Sequence, residues 1–175
     1  MQKNKALFLD RDGVINIEKD YLHKIEDFEF IDGIFDLCNY YQDLGYIIVI
    51  VTNQSGIARN YYDKNDFNKL TSWMINEFLK KEIKIKKVYY CPHHPDISGV
   101  CNCRKPKAGM LIEAYNDFDI DLKNSILVGD KERDILAGIN AGLITTYLFD
   151  ESASITTSKA TKIVSKLKDI YSVNT

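Results

Sequence analysis

The chain has 175 residues, of which 45% are hydrophobic, so it can bury the core of one compact domain and is too short for two ordinary ones. Its 23 basic and 25 acidic residues give a formal net charge of −2, which provides no positively charged surface for nucleic acid. No apolar run reaches the roughly 18 residues that a membrane-spanning helix needs, and Met1–Lys5 is too polar for a signal peptide. We therefore expect a cytoplasmic monomer with a single domain over residues 1–175 and with neither a nucleic-acid nor a membrane partner.

Predicted strands and helices alternate along the chain. Apolar, β-branched runs predict the strands, and apolar residues recurring every three to four positions predict the helices. In chain order, the predicted elements are a strand at 6–10, a helix at 34–44, a strand at 46–52, a helix from the N-cap Asp63 to 78, a strand at 87–90, a helix around 110–115, a strand at 125–129, a helix around 135–141, a strand at 144–149 and a helix at 163–170. This alternation indicates an α/β fold, a doubly wound parallel sheet with helices on both faces.

Acidic and hydroxyl-bearing residues end the predicted strands, where ligands bind in such sheets. Asp10 and Asp12 follow the first strand, and Thr52 ends the second. Asp130 follows the strand at 125–129 and, like Asp134, could by itself be only a helix N-cap. Magnesium prefers one or two carboxylates together with waters and substrate phosphate. Asp10 and Asp130 are therefore candidate Mg²⁺ ligands.

Three of the four cysteines lie close together in the sequence, which indicates a metal site in a reducing compartment. Cys91 and His93 form a Cys-x-His pair, and Cys101 and Cys103 form a Cys-x-Cys pair after seven intervening residues. Four such ligands are typical of a closed structural Zn²⁺ site, with His94 as a rival to His93. The alternative is a set of free thiols beside surface histidines.

The ordered motifs resemble those of the haloacid-dehalogenase-type phosphatases. Asp-x-Asp-Gly at 10–13, Thr-Asn at 52–53, Lys-Pro at 105–106 and Gly-Asp-x-x-x-Asp at 129–134 occur in family order, within a resemblance that covers 6–149. The resemblance implies a Rossmann-like haloacid-dehalogenase fold and hydrolysis through an aspartyl-phosphate.

The resemblance also implies a role for each matching position. Asp10 corresponds to the nucleophile and Asp12 to the general acid and base. Thr52 and Lys105 correspond to the groups that hold the transferring phosphoryl group. Mg²⁺ would be bound by the carboxylates of Asp10 and Asp130 and by the backbone carbonyl of Asp12.

The cysteine-rich loop, continuing into Cys-Arg-Lys-Pro at 103–106, narrows the resemblance to two branches of that family. One branch removes a phosphate from heptose bisphosphates in the synthesis of surface polysaccharides, and the other acts on histidinol phosphate. The stretch at 52–59 favours the heptose branch, whereas the short insert between His93 and Cys101 is closer to the histidinol type. The resemblance also favours His93 over His94 as the Zn²⁺ ligand.

The resemblance implies that ten residues lie around a small phosphorylated sugar. They are Arg11, Glu18, Lys19, Asp20, Tyr21, Asn53, Gln54, Ser55, Arg104 and Lys131. Arginine suits a bisphosphate because its guanidinium can donate two parallel hydrogen bonds to one phosphate. No insertion is long enough for a separate cap domain, so we expect short loops alone to cover the site.

Two other classes share part of this pattern. A phosphate- and Mg²⁺-binding regulatory module would also place acids at strand ends, but it would not need Asp12 two residues after Asp10. A nucleic-acid-end phosphatase of the same fold would need a basic groove, against which the near-neutral charge argues. We therefore predict a Mg²⁺-dependent phosphoric monoester hydrolase, for which the resemblance favours the 7-phosphate of a heptose 1,7-bisphosphate as substrate and leaves histidinol phosphate as the alternative.

Overall fold

One six-stranded parallel sheet forms the centre of the computed structural model, which describes residues 3–172. The strands are β1 (Lys5–Leu9), β2 (Tyr46–Asn53), β3 (Ile85–Cys91), β4 (Ile126–Gly129), β5 (Thr145–Phe149) and β6 (Lys162–Val164). Their order in the sheet is β3-β2-β1-β4-β5-β6. The strands β2 and β3 therefore lie on one side of β1, and β4, β5 and β6 lie on the other. A crevice for ligands is expected at this reversal, beyond the ends of β1 and β4.

Helices cover both faces of the sheet, as predicted. They are α1 (Ile34–Asp43), α2 (Lys64–Leu79), α3 (Pro95–Ser98), α4 (Gly109–Phe118) and α5 (Glu132–Ala141). Because successive strand residues point to opposite faces, Leu7 and Leu9 pack in the cluster that contains residues of α1 and α2, while Phe8 packs with residues of α4 and α5. Two cores therefore hold β1 rigidly in the middle of the molecule.

The predicted elements are found in the predicted order up to β5. Asp63 caps α2 as expected, because its carboxylate accepts from the backbone N–H of Asp66 and the Asp66 carboxylate accepts in return. The structure adds short 3₁₀ turns at Ile25–Asp27, Leu122–Asn124 and Leu167–Ile170. No separate cap domain occurs within residues 3–172, and no helix there is long and apolar enough to cross a membrane.

The helix predicted at 163–170 is wrong. Residues Lys162–Val164 form β6, which pairs in parallel with β5, and Leu167–Ile170 form only a 3₁₀ turn. Of the apolar residues that predicted this helix, Leu167 and Ile170 are buried, but Ile163 is only half-buried and packs in the other core cluster, while Val164 is buried beside Leu167 and Ile170. The free backbone edge of β5 supplied hydrogen-bond partners, which a periodicity argument does not include.

Candidate active site

The predicted catalytic residues meet at the carboxyl ends of the central strands. Asp10 follows β1, and its backbone N–H donates to the carbonyl of Val128 in β4, which fixes the start of the loop. Thr52 lies at the end of β2, and Lys105 enters from the loop between α3 and α4. Asp10, Thr52 and Lys105 are almost completely buried, at 5%, 1% and 1% exposure. The elements thus bring together polar groups that come from distant parts of the chain.

Lys105 is the cation at the centre of this group. Its Nζ lies 2.9 Å from Oδ1 of Asp10 and 2.8 Å from Oδ1 of Asp134, and it donates to the carbonyl of Val51 at 2.8 Å. Burial by itself would lower the pKa of Lys105, but the two carboxylates outweigh burial and raise it. Burial by itself would raise the pKa of Asp134, but Lys105 outweighs burial and lowers it. Lys105 therefore stays charged and is held rigidly beside Asp10.

For Asp10, the effect of burial on the pKa outweighs that of Lys105. Burial raises its pKa to about 8, with Lys105 opposing and the carboxylates of Asp134, Asp130 and Asp12 adding to the rise. A protonated Asp10 could not act as a nucleophile. The site thus needs another cation close to this carboxyl group.

A divalent cation fits these acids. Asp10, Asp130 and Asp134 can each offer an oxygen atom within 4.8 Å of the others. Oδ1 of Asp130 is buried without a hydrogen-bond partner among the described residues, and burial raises the pKa of Asp130 to about 6. Gly13 keeps this space open, since its φ is +87° and a Cβ atom there would lie 2.3 Å from Oδ2 of Asp130. The oxygen-only donor set is the kind that Mg²⁺ prefers.

Asp12 is held by three side chains on the other side of the loop. Arg11 donates from Nη2 to both carboxylate oxygens at 3.0 Å, Asn16 donates to Oδ1 at 3.0 Å, and Gln54 donates to Oδ2 at 2.9 Å. The Gln54 amide also donates to Oγ1 of Thr52 at 2.8 Å. Asp12 is consequently fixed in direction at the mouth of the site.

A polar cavity of about 210 Å³ opens beside Asp12. Its lining contains eight of the ten predicted substrate-binding residues together with other basic and aromatic groups: Asp12, Glu18, Lys19, Asp20, Tyr21, Asn53, Gln54, Ser55, Gly56, Arg59, Tyr62, His94, Arg104 and Arg133. Arg59 donates from Nη2 towards Nε2 of His94 at 2.8 Å, while its Nε is buried without a partner among the described residues. The cavity can therefore receive an anion in addition to the group that reacts near Asp10.

Two predicted substrate-binding residues lie outside this cavity. Arg11 is 1% exposed and uses its guanidinium on Asp12 and on the carbonyl of Leu22. Lys131 lies on the far side of Asp130, where its Nζ is 2.8 Å from Oδ2 of Asp130 and 3.4 Å from Oε2 of Glu18. Both basic side chains thus contact carboxylates of the site instead of facing the cavity.

The predicted Zn²⁺ ligands form a compact cluster at the end of β3. The Sγ atom of Cys91 lies 3.5 Å from that of Cys101 and 3.0 Å from that of Cys103, and Nδ1 of His93 lies 3.3 Å from Sγ of Cys103. All four cysteines of the chain are free thiols. His94 contacts Arg59 instead. Cys91, His93, Cys101 and Cys103 thus offer four ligand atoms within 4.8 Å of one another, a donor set of the kind that binds Zn²⁺.

Comparison with known proteins identifies the family. Residues 6–142 match the family model described as polynucleotide kinase 3 phosphatase. A D-glycero-alpha-D-manno-heptose-1,7-bisphosphate 7-phosphatase of Campylobacter jejuni is 58% identical over 149 residues, which cover 85% of this chain and 84% of that protein. The chain belongs to the heptose-1,7-bisphosphate 7-phosphatase family of haloacid-dehalogenase-type phosphatases. It is accordingly a phosphoric monoester hydrolase, and the predicted enzyme class is confirmed.

Other members of the heptose-bisphosphate phosphatase family agree in sequence and structure. A D-glycero-beta-D-manno-heptose-1,7-bisphosphate 7-phosphatase of Haemophilus influenzae is 48% identical over 142 residues, covering 79% of this chain and 77% of that protein. The crystal structure of D,D-heptose 1,7-bisphosphate phosphatase from B. bronchiseptica, complexed with magnesium and phosphate, matches with a TM-score of 0.83 at 28% identity and covers 95% of each chain. The predicted family and α/β fold class are confirmed.

Several residues of the site were not predicted from the sequence. Asn16 and Tyr62 act through hydrogen bonds to Asp12 and Gln54, and Arg133 lines the cavity. For Asp134, the sequence left open that it only caps a helix. One of its oxygens does accept from the backbone N–H of Lys131, but the other forms an ion pair with Lys105. Only Arg133, four residues after Gly129 in the last motif, carried a usable signal, which was its charge.

Proposed function

We propose that this chain hydrolyses the 7-phosphate of D-glycero-D-manno-heptose 1,7-bisphosphate through an aspartyl-phosphate on Asp10, in the synthesis of heptose precursors for surface polysaccharide. The observation that carries the proposal is the buried contact of Asp10 with Lys105, next to Asp12 at the mouth of a polar cavity that contains three arginines. The names of the relatives supply the substrate class.

Mg²⁺ would be held by the carboxylates of Asp10 and Asp130 and by the backbone carbonyl of Asp12. When bound, it would supply positive charge that offsets the repulsion between Asp10 and the phosphate and keeps Asp10 ionised. The buried, unpaired Oδ1 of Asp130 supports this assignment. The magnesium in the B. bronchiseptica structure supports it as well.

In the first step, a carboxylate oxygen of Asp10 attacks phosphorus and the bond from phosphorus to the sugar oxygen breaks. Asp12 gives its proton to the departing alkoxide, which leaves as the sugar hydroxyl. Lys105 and the Thr52 hydroxyl stabilise the negative charge on the phosphoryl oxygens. Both groups are preorganised because they are buried and hydrogen-bonded before the substrate arrives.

In the second step, a water molecule attacks the phosphorus of the aspartyl-phosphate. Asp12, now a carboxylate, takes the proton from that water, and the bond between phosphorus and Asp10 breaks. Inorganic phosphate leaves, Asp10 is again a carboxylate and Asp12 is again protonated. Protons and charges are therefore restored after each turnover.

The second phosphate of the substrate would bind in the cavity beside Asp12. Arg59, Arg104 and Arg133 contribute positive charge to its lining, which also contains the carboxylates of Asp12, Glu18 and Asp20. Arg104 donates from Nη1 to the carbonyl of His93 at 3.1 Å, which ties its position to the cysteine-rich loop. The second phosphate of a bisphosphate would give these arginines an anionic partner that a monophosphate lacks, which supports a bisphosphate as the substrate.

Zn²⁺ would be bound by Cys91, His93, Cys101 and Cys103 as a structural ion. Four protein ligands leave no open position for substrate. Its role would be to order the loop that presents Arg104 and Lys105 to the site. The short S···S and N···S distances of this cluster support the proposal.

We also propose that the chain works as a single-domain cytoplasmic monomer over residues 1–175, with a small phosphorylated sugar as its partner. Free thiols as metal ligands suit a reducing compartment. The substrate fits a small polar cavity, whereas nucleic acid would need an extended basic surface, and the net charge of −2 does not favour one.

Phosphate release with Mg²⁺ tests the substrate assignment directly. We expect a strong preference for heptose 1,7-bisphosphate, of which both anomers are assayed because the relatives include enzymes for each. L-histidinol phosphate and a 3′-phosphorylated oligonucleotide serve as the competing substrates. Faster release from either of those would overturn the assignment, and release from none, with Mg²⁺ bound, would favour the regulatory-module alternative.

A further inference from the structure

Gln54 connects the two groups that act on opposite ends of the reacting bond. Its side chain is buried, at 2% exposure, and its backbone N–H donates to the carbonyl of Cys91 at 2.7 Å. The two hydrogens of its amide nitrogen point to Oδ2 of Asp12 and to Oγ1 of Thr52, at 2.9 and 2.8 Å. A single amide therefore sets the relative position of the proton donor and the phosphoryl-holding hydroxyl.

The chemistry of the neighbours fixes the orientation of this amide. The nitrogen of Gln54 donates to Oδ2 of Asp12, and in the second step, where Asp12 is a carboxylate, this oxygen can only accept, so the oxygen of Gln54 must face away. The oxygen accepts from the hydroxyl of Tyr62. Burial raises the pKa of Tyr62 to about 12, so this hydroxyl keeps its proton at neutral pH. A flipped amide would set its oxygen against the carboxylate and leave the Tyr62 proton without an acceptor.

Tyr62 is itself held in place by its surroundings. Its ring stacks on the ring of His23 at a centroid distance of 5.1 Å and an interplanar angle of 12°. A Cβ atom on Gly56 would lie 2.2 Å from Cε1 of Tyr62, so only glycine lets the loop pack against the ring. Tyr62 also directly precedes Asp63, the N-cap of α2. The hydroxyl is therefore anchored by a loop, by a stacked ring and by a helix.

We propose that Gln54 and Tyr62 are positioning residues, which hold the Asp12 carboxyl and the Thr52 hydroxyl in the arrangement needed for proton transfer to the leaving group. Because Oγ1 of Thr52 accepts from Gln54, its own proton remains free for a phosphoryl oxygen. Because Oδ2 of Asp12 is tethered by Gln54, the carboxyl faces the site and not the solvent. The proposal depends on the proposed function of Asp10 and Asp12.

Tyr62→Phe tests the positioning pair, since it keeps the ring and removes only the hydroxyl. We expect kcat for heptose 1,7-bisphosphate to fall about tenfold, the effect of roughly one buried hydrogen bond, with KM within about twofold. Tyr40→Phe, which removes a hydroxyl from α1 on the sheet's other end, is the matched control and should leave both constants unchanged. Thermal unfolding of both variants checks that the fold is retained.

A change of leaving group separates positioning from a merely structural effect. Nitrophenolate leaves without a proton, so the rate of its burst from p-nitrophenyl phosphate should fall less in Tyr62→Phe than the rate with the sugar substrate. Equal losses of rate on both substrates, or no loss on either, would overturn the positioning role of Gln54 and Tyr62. The proposed function would still stand in that case, provided that the wild-type enzyme is active. A wild-type enzyme without phosphatase activity would instead overturn the proposed function itself.

Discussion

Lys105 Nζ and Asp10 Oδ1 lie 2.9 Å apart in the interior of the protein, at the end of the central strand. Lys105 makes a second ion pair with Asp134, and Asp130 lies within reach of the same group. Lys131 pairs with Asp130, so three carboxylates face two ammonium groups, and one net negative charge is left when all three acids are ionised. A divalent cation would offset this charge and favour the ionised form of Asp10.

The stability of the Mg²⁺-free protein should depend on the protonation of Asp10. Burial raises the pKa of Asp10 from 3.8 to about 8, so between these values the folded protein binds a proton that the unfolded chain has released. The free energy of unfolding should therefore fall with rising pH across this window, by at most about 1.4 kcal/mol per pH unit from this group. Asp10→Asn should remove this contribution, as measured by denaturant unfolding from pH 5 to 8.

Added Mg²⁺ should stabilise the wild-type protein more strongly as the pH approaches 8, because the ion competes with the proton for Asp10. Asp10→Asn should gain less from the ion at every pH. Parallel pH profiles for the two proteins, with and without Mg²⁺, would contradict this account of the buried carboxylates.

Gly13→Ala should damage the metal site. The residue has φ +87°, and the added Cβ atom would lie 2.3 Å from Oδ2 of Asp130. Gly45→Ala is the matched control, since Gly45 has φ +80° with no atom within 4 Å of the new Cβ. Both variants should lose about 1 kcal/mol through the backbone, but only Gly13→Ala should also lose Mg²⁺ affinity and phosphatase activity. Equal activity of the two variants would refute the role given to this close approach.

The cysteine-rich cluster should contain about one Zn²⁺ ion per chain, measured by elemental analysis of protein produced with zinc present. Cys103→Ala should abolish this zinc and lower the activity, because the loop that carries Arg104 and Lys105 loses its anchor. Cys38→Ala, which removes a buried thiol of α1 that is remote from the cluster, should retain the ion. Zinc-free wild-type protein with full activity would show that the cluster does not need a metal.

Arg59→Ala should weaken binding of the bisphosphate through its second phosphate. Loss of one charge-assisted hydrogen bond costs about 1.5–3 kcal/mol, so KM should rise about tenfold or more for the bisphosphate. For heptose 7-phosphate, which lacks the second phosphate, KM should change less than about twofold. Lys162→Ala, at the edge strand β6, is the surface-charge control. Similar increases in KM for both substrates would place the second phosphate elsewhere.

The core of this site could be predicted from the sequence because its residues end strands. Asp10, Thr52 and Asp130 each follow an apolar run, and parallel strands present their carboxyl ends at one edge of the sheet. Cys91, the last residue of β3, reaches the same edge, so the cysteine-rich loop begins beside the acids.

The remaining features depend on tertiary contacts that a linear pattern does not contain. The charge of Arg11 indicated a substrate contact, but the side chain is buried against Asp12. The link from Tyr62 through Gln54 joins residues whose spacing has no diagnostic pattern. Likewise, β6 forms because β5 offers a free edge, which the helical spacing of Leu167 and Ile170 did not reveal.

The most direct test of the account is to detect the phosphoryl group on Asp10. Wild-type protein is mixed with heptose 1,7-bisphosphate and Mg²⁺, quenched in acid within one turnover, digested and analysed by mass spectrometry, with Asp10→Asn treated in parallel. We expect one added phosphoryl group on the peptide that contains Asp10, formed and lost at rates compatible with turnover, and none in the variant. Rapid turnover with no such peptide, together with an active Asp10→Asn protein, would contradict the aspartyl-phosphate mechanism.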